Sequence, residues 1–223
     1  YVQQKKEIYD IFLEFIDCEN DDQEENEKFN NFINLLYERK ILESYEEVFE
    51  FLILINKISK YHNRHLNFIN RIEQTISYFE EIIKQNFTNF QIFNIYKHNM
   101  RILLFLFNKK IITVDQDILR IFQIGAQNYK TYRFYFYDKI KDQISIQDKK
   151  NIEGRLLAKD PNIFNTFKEK VQTGENDSYI CSLIRNDSIE EFVSHISRLN
   201  ISINSKIKPS IFETNYFLLT HTP

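Results

Sequence analysis

Apolar residues recur at intervals of three and four along most of the 223-residue chain. This spacing places them on one face of a helix, whereas a half-buried strand would alternate every two residues. The first helix is predicted from the set Ile8, Ile11, Phe12, Phe15 and Ile16. The acidic run over residues 19–27 then interrupts the pattern. A second helix is predicted from the set Phe29, Phe32, Ile33, Leu36 and Tyr37.

Two more helices are predicted before residue 84. Ser44 opens the third, and Glu47 stands three residues later, which is the spacing of a capping box. The apolar stripe of this helix is Val48, Phe49, Leu52, Ile55 and Ile58. Asn63 begins a long fourth helix in the same interpretation. The buried side of that helix is Leu66, Ile69, Ile72, Ile76, Phe79 and Ile83.

Shorter helices are predicted in the second half of the chain. Two of them cover residues 90–96 and 100–107, and the lysine pair after the second suits a C-terminal dipole. Asp115 is the expected N-cap of another helix, which Gly125 ends. Residues 129–161 lack a clean period, and short helices joined by irregular loops are expected there.

The composition supports an all-α fold with a folded core. Apolar residues make up 43% of the chain, among them 21 Phe and 13 Tyr, whereas there are only three Gly and three Pro. Few glycines and prolines argue against a β fold with many tight turns and leave no means of building a glycine-rich phosphate loop. The formal net charge of −3, with mixed signs, gives no electrostatic case for nucleic acid or an anionic membrane.

The cysteines and the lengths of the apolar windows favour an intracellular, cytoplasmic setting. Cys18 and Cys181 are far apart in sequence, so two reduced thiols are expected rather than a disulfide framework. The N-terminus carries no apolar signal-peptide run. The most apolar windows, residues 49–55 and 102–107, are far shorter than the roughly 20 residues that span a bilayer.

An internal repeat relates three segments of the chain. Phe32 corresponds to Ile102 after a shift of 70 positions and to Phe192 after a shift of 160 positions. The shared unit is a helix, a cationic or polar break and then apolar residues, which begin at Ile41, Ile111 and Ile201. The shift of 70 is about two ankyrin-sized units. The alternative is that two amphipathic helices align this well by chance.

Residues 188–204 resemble the second half of an ankyrin repeat, usually written GHxEVVKLLLxxGADVN. Its Glu-Val-Val is matched by residues 191–193, and its terminal Val-Asn by residues 203–204. Asn200 takes the place of the glycine at the helix end, and asparagine is the next-best residue for left-handed geometry. Ser188 replaces the usual glycine between the helices, and the expected Thr-Pro-Leu-His start is missing. An atypical capping unit is therefore expected.

Residues 90–117, with the sequence FQIFNIYKHNMRILLFLFNKKIITVDQD, and residues 174–219 carry a wider resemblance. Both are similar to the helical N-terminal domain of large protist families of ankyrin-repeat proteins. The resemblance implies a protein-binding function, with further ankyrin repeats following in the full-length chain, and it is nearly silent on activity. In this interpretation residues 179–184 form the inner helix of the degenerate repeat.

No catalytic, cofactor-binding or metal-binding residue is predicted. His62 and His65 lie three apart and could share a helix face, but no second cluster supplies the further ligands that a metal site needs. His98, His195 and His221 are isolated, and each is expected at the surface or the edge of the core.

Adjacent carboxylates offer no catalytic pair either. The pairs at positions 46–47, 80–81 and 190–191 cannot face each other on a helix, so they are expected on solvated faces and near caps. No GxGxxG, GxxxxGK[ST], GxSxG or HExxH string occurs. We therefore expect a protein that is not an enzyme and needs no cofactor.

One stretch suggests a different function. Residues 129–150 interleave Tyr and Phe with Lys and Arg, a pattern that can stack on and neutralise single-stranded nucleic acid. The competing interpretation is that these aromatic residues pack in the core. The negative net charge of the chain argues against nucleic acid.

These patterns together predict an all-α fold of antiparallel helix pairs stacked as an irregular, ankyrin-like α-solenoid. A helical N-terminal domain covers residues 1–173 and is irregular over about 126–173. A degenerate ankyrin-like unit covers residues 174–223. The expected function is a protein–protein interaction scaffold whose binding residues the sequence does not identify, and the alternative is a structural cap of the repeat array. The open end of the solenoid is expected at residues 201–223, where the candidates for exposed apolar surface are Phe212, Tyr216, Phe217 and Leu218.

Overall fold

A computed structural model describes residues 2–18, 22–61, 68–124, 131–205, 207 and 210–214. Over these residues the chain is all-α, as predicted, with one short 3₁₀ turn at Ile41–Glu43 and no strand. The helices are α1 (Val2–Ile16), α2 (Asp22–Glu38), α3 (Tyr45–Tyr61), α4 (Phe68–Tyr78), α5 (Glu80–Asn86), α6 (Asn89–Tyr96), α7 (Met100–Asn108), α8 (Gln116–Ile124), α9 (Tyr132–Tyr135), α10 (Tyr137–Ile140), α11 (Ile146–Lys159), α12 (Ile163–Thr173), α13 (Tyr179–Arg185) and α14 (Ile189–Arg198).

The chain divides into two compact units. The first comprises Tyr1–Lys97 with Asn108–Thr113, and the second comprises His98–Phe107 with Val114–Pro223. The domain boundary between residues 173 and 174 stays a prediction. None of the helices in the described ranges is long and apolar enough to cross a membrane.

Helices α1 and α2 form an antiparallel pair around stacked phenylalanines. Phe12 lies 4.8 Å from Phe32 between ring centroids, and Phe15 lies 5.0 Å from Phe29. The later residue of α1 contacts the earlier residue of α2, so the two helices run antiparallel. The ring of Phe51, on α3, lies 5.9 Å from that of Phe32 and extends the cluster. Such aromatic pairs contribute about 0.5–1.5 kcal/mol beyond their buried area.

A buried arginine closes the C-terminal end of α1. Arg71, on α4, is 2% exposed, and its Nη1 donates to the carbonyl oxygens of Ile16 and Cys18 at 2.9 and 2.8 Å. Its Nε and Nη2 donate to Glu25 Oε2 at 3.0 and 2.8 Å. The last carbonyls of a helix have no partner within the helix, so Arg71 satisfies groups that would otherwise be buried and unbonded.

The predicted long fourth helix is two helices. Its predicted start at Asn63 lies outside the described residues, and the helical stretch is interrupted between α4 and α5 at Phe79. Thr75 Oγ1 donates to the carbonyl oxygen of Arg71 at 2.8 Å, a bond that bends helices. Phe79 is buried, and its ring lies 5.5 Å from that of Phe51, edge to face. The contact between Phe79 and Phe51 lies at the interruption between α4 and α5. The spacing of apolar residues does not reveal this interruption.

The second unit has its own aromatic core. The rings of Phe107 and Phe122 both lie 5.5 Å from that of Phe136. Tyr135 is buried, and its hydroxyl donates to the carbonyl oxygen of Val171 at 2.9 Å, while burial raises the pKa of this phenol. These contacts attach the short helices α9 and α10 to α7, α8 and α12.

The stretch expected to be irregular is mostly helical where the structure describes it. Helices α11 and α12 are long for this part of the chain, with 14 and 11 residues. Ser145 Oγ accepts from the backbone N–H of Asp148 at 3.0 Å and so caps α11. A serine three residues before an acidic residue is a sequence signal for the start of a helix. Here the dense aromatic residues before Ser145 obscured that signal. The predicted helix end at Gly125 lies outside the described residues.

Two other predicted caps are present. Asp115 Oδ1 accepts from the N–H of Ile118 at 3.0 Å, as an N-cap of α8 should. Ser44 Oγ accepts from the N–H of Glu47 at 3.4 Å, which is one half of the predicted capping box, and the Ser44 hydroxyl donates to Glu46 Oε2 at 3.0 Å.

The three segments of the internal repeat share an unusual backbone conformation. Lys40, Lys110 and Asn200 have positive φ angles of 57°, 57° and 50°. These positions are related by the shifts of 70 and 160 residues, and each follows the end of a helix. Left-handed residues other than glycine are uncommon, so a shared position is a stricter match than shared apolarity. The geometry agrees with the predicted repeat and with the left-handed role expected for Asn200.

Candidate interaction surfaces

Helices α13 and α14 form a tight hairpin in the second unit. Ser178 Oγ accepts from the N–H of Cys181 at 3.4 Å and caps α13. Asp187 has a φ of 51°, and the N–H of Ser188 donates to the carbonyl oxygen of Leu183 at 3.0 Å. The left-handed residue between the helices is therefore Asp187, one position before the serine that aligns with the ankyrin glycine. The ring of Tyr179 lies 4.9 Å from that of His195 and joins the two helices.

Helix α14 is amphipathic but buries none of its described side chains. Ile189 is 64% exposed and Val193 is 51% exposed, while Phe192 and Ile196 are half-buried against the rest of the hairpin. Single exposed apolar residues are ordinary, but a contiguous apolar face usually marks an interaction site. The hairpin therefore presents apolar surface that this chain does not cover in the described residues.

An apolar groove of about 330 Å³ continues this surface. Seven of its ten lining residues are Ile or Phe, and the other three are Ser. The apolar ones are Ile180, Ile184, Phe192, Ile196, Ile201, Ile203 and Ile207. A groove without charged lining residues suits an apolar helix face better than a polar or ionic ligand. We call this groove, together with Ile189 and Val193, the hairpin face.

The hairpin face includes Ile201, Ile203 and Ile207 of the predicted open end, residues 201–223, but it does not include Phe212. Phe212, expected to be exposed, is 1% exposed, because its ring packs 5.7 Å from that of Phe167 on α12. Tyr216, Phe217 and Leu218 lie outside the described residues. The sequence pattern could not separate these positions, since the contact with α12 joins residues 45 positions apart.

Polar contacts fix the returning segment, residues 210–214, on α12. Thr214 donates from N and from Oγ1 to the carbonyl oxygen of Gly174, at 3.0 and 2.7 Å. Ser210 Oγ donates to Asp177 Oδ1 at 2.6 Å, and Lys170 Nζ lies 3.0 Å from Asp177 and 3.2 Å from Asp160.

The charges in this cluster stabilise each other. Burial alone would raise the pKa of Asp177, but the hydrogen bonds from Ser210 and Lys170 lower it overall. Burial alone would lower the pKa of Lys170, but the hydrogen bonds to Asp177 and Asp160 raise it overall. Both groups are therefore held in their charged forms.

Most aromatic rings of the basic stretch are in the core. Tyr132, Tyr135, Phe136 and Tyr137 are all buried. The hydroxyl of Tyr137 hydrogen-bonds Glu153, and burial raises the pKa of this phenol. These faces are occupied by neighbouring side chains, which leaves little aromatic surface for stacking bases in residues 131–150.

The remaining sequence candidates are the histidines and the adjacent carboxylates. His62, His65 and His221 lie outside the described residues, whereas His98 and His195 are half-buried at the edge of the core. The described part of the chain holds no group of three or more His, Cys, Asp or Glu residues that could bind a metal ion. The three adjacent glutamate pairs occupy the first turns of α3, α5 and α14, where carboxylates favour the helix dipole.

The two cysteines are separate free thiols. Cys18 is buried, and this burial raises its pKa, whereas Cys181 is partly exposed on α13. A raised pKa keeps a thiol protonated and unreactive at neutral pH.

The hairpin face is an apolar surface that the described residues leave uncovered. Comparison with protein-family models, with curated proteins and with solved structures finds no match to this chain.

Proposed function

We propose that this chain is a non-enzymatic protein–protein interaction scaffold, the N-terminal helical region of an ankyrin-repeat protein whose helix pairs stack as an irregular solenoid. The observation that carries the proposal is the hairpin face, where an amphipathic helix leaves its apolar side exposed. The left-handed residue shared by three helix ends supports the repeat character. An apolar helix face of a partner would complete the burial that α14 lacks.

The experiment compares proteins captured from host-cell lysate by the wild-type chain and by two variants. The first combines Ile189→Glu and Val193→Glu and places two charges on the hairpin face. The matched control combines Ser194→Glu and Ser197→Glu, which adds the same charges at exposed polar positions of α14. A partner of the hairpin face should bind about tenfold more weakly to the first variant and equally to the control. Equal capture by all three proteins would contradict the proposal.

The second candidate is a structural cap, in which the hairpin face is covered by a neighbouring helix pair of the same polypeptide. The same exposed face favours it, because terminal helix pairs of a solenoid protect the pairs that follow. The two candidates differ in where recognition occurs. Partners retained by this chain alone support a scaffold, whereas partners retained only by a polypeptide that continues past residue 223 support a cap.

A further inference from the structure

Two exposed tyrosines of the first unit meet through their hydroxyl groups. Tyr37 lies near the C-terminal end of α2, and Tyr78 is the last residue of α4. Their hydroxyl oxygen atoms are 3.5 Å apart, although the two residues are 41 positions apart in the sequence. The fold, and not the local chain, therefore brings the two phenols together. We call these two residues the tyrosine pair.

Packed side chains hold the tyrosine pair in position. The ring of Tyr78 lies 5.7 Å from that of Phe29 on α2 and 5.0 Å from that of Phe79, edge to face in both cases. Phe29 and Phe79 are both buried, so Tyr78 rests on the core. The same two helices are also joined by Glu25 Oε2 and Arg71 Nη2 at 2.8 Å. Because packed interiors deform little, the two phenols stay close to each other.

The tyrosine pair is open to solvent. Tyr37 is 55% exposed and Tyr78 is 46% exposed, so an oxidant in solution reaches both rings. The hydrogen bond to Tyr37 raises the pKa of the Tyr78 phenol, which is therefore protonated at neutral pH. Oxidation of this phenol removes its proton together with an electron.

Two phenols in contact couple when both undergo one-electron oxidation. A peroxidase removes one electron and one proton from each phenol and leaves two phenoxyl radicals, whose unpaired electrons are shared with the ring carbons beside the oxygen. Two such carbons form one C–C bond, and each ring regains its aromaticity when the hydrogen on the bonded carbon moves to the oxygen. The pair loses two hydrogen atoms in total, and one molecule of hydrogen peroxide is reduced to two molecules of water.

From this geometry we propose that Tyr37 and Tyr78 are an oxidation site that closes into an intramolecular dityrosine bond when a peroxidase and hydrogen peroxide act on the chain. The bond joins α2 to α4 and closes a covalent loop that spans 41 positions and contains α3. Closing a loop removes conformational freedom from the unfolded chain, so the cross-link stabilises the fold as a disulfide does. The proposal does not rest on the hairpin face, so either can fail alone.

The other two largely exposed tyrosines of the described residues contact side chains of other types. The hydroxyl oxygen of Tyr45 accepts from Gln91 Nε2 at 3.0 Å. The ring of Tyr179 lies 4.9 Å from that of His195. Tyr45 and Tyr179 are 40% and 56% exposed, which is comparable to the tyrosine pair. They are therefore matched controls that meet the same oxidant without a described tyrosine beside them.

The test treats the dilute full chain with a haem peroxidase and hydrogen peroxide. Denaturing electrophoresis separates monomers from cross-linked copies, and the monomer should show dityrosine fluorescence and the loss of two hydrogen atoms from its intact mass. Trypsin then releases the peptides 29–39 and 72–84, each of which contains a single tyrosine. The two peptides should be recovered as one linked species, which assigns the bond to the tyrosine pair.

Phenylalanine variants test whether the contact directs the reaction. Tyr37→Phe and Tyr78→Phe each keep the ring and remove one phenol. Each should lower the yield of cross-linked monomer at least about tenfold, because two groups held in contact react as if at high effective concentration. Tyr45→Phe and Tyr179→Phe each remove an exposed phenol elsewhere and should leave the yield unchanged.

Urea unfolding tests the effect of the bond on the fold. The cross-linked monomer should have a higher urea midpoint than the untreated wild-type chain, whereas peroxidase treatment should not move the midpoint of Tyr37→Phe. An equal midpoint in the cross-linked and untreated chains would overturn the stabilising role.

Circular dichroism of each untreated variant checks that the fold is kept. If Tyr78→Phe does not fold, the more exposed Tyr37→Phe decides the question. A monomer without a cross-link, a cross-link that joins other tyrosines, or an unchanged yield in Tyr37→Phe would each overturn the proposal.

Discussion

The guanidinium of Arg71 completes the end of α1 from a helix that lies 55 positions later in the chain. We expect Arg71→Met to reduce the free energy of unfolding by about 2–4 kcal/mol, because two carbonyls and Glu25 lose their donor. Equilibrium unfolding in urea measures this change.

Arg39→Met is the control for that prediction. Arg39 pairs with Glu7 at 2.8 Å, but the two side chains are 44% and 40% exposed, so the loss should be less than about 1 kcal/mol. If both variants lose the same free energy of unfolding, burial is not the reason that the Arg71 contacts stabilise the fold.

At this scale the sequence predicts what is local. Asp115 and Asn200 were predicted for their roles at helix ends, because capping and left-handed geometry depend on neighbouring residues. The contacts of Arg71 and Tyr78 could not be predicted. Their partners are 55 and 41 positions away, and nothing in the pattern of one amphipathic helix shows which distant residue a side chain meets.

At the scale of elements, the left-handed helix ends make a prediction about the repeat. Lysine at a positive φ is strained, whereas glycine is not, so Lys40→Gly and Lys110→Gly should each raise the free energy of unfolding by about 0.5–1 kcal/mol. Lys109→Gly, one position earlier, should give no gain. Thermal or urea unfolding of the three variants distinguishes these cases, and a gain at position 109 alone would contradict the assignment.

The returning segment on α12 should release in acid. The folded pKa of Asp177 is lowered, so its contribution to docking is complete above the unfolded pKa of about 3.9 and is lost as the pH falls through the folded value. The raised pKa of Lys170 keeps its charge through neutral pH. The Thr214 amide, which donates to the carbonyl oxygen of Gly174, should therefore lose hydrogen-exchange protection below about pH 4.

Asp177→Asn is the matched variant for this titration. It keeps the shape of the side chain but cannot lose a charge, so protection at Thr214 should be weaker at neutral pH and should change less on acidification. An identical acid profile in the variant would assign the release to other carboxylates.

The spacing of apolar residues predicted the helices and their apolar faces. It did not predict where a helix is interrupted or which helix packs against which. The period continues through Phe79, because its ring lies on the buried side of both α4 and α5. Short helices were expected over residues 129–161, but the bounds of α11 and α12 were not predicted, since the dense aromatics before them hide a regular spacing. A single sequence reports which face is apolar and leaves open what covers it.

At the scale of the whole molecule, the hairpin face predicts weak self-association. Large exposed apolar surface favours association, so the sedimentation coefficient of the wild-type chain should rise with concentration. The Ile189→Glu and Val193→Glu variant should remain monomeric over the same range, while the Ser194→Glu and Ser197→Glu control should behave as the wild type. Identical behaviour of all three would mean that the face is not adhesive.

The long reach of Arg71 also has a consequence for the order of synthesis. The ribosome adds about 5–20 residues per second, so Arg71 joins the chain about 3–11 s after Ile16, whose carbonyl it will bond. During that interval the carbonyl oxygens at the end of α1 have no donor from Arg71. A nascent chain halted before Arg71 is added would therefore carry an α1 whose last carbonyls still bond to water.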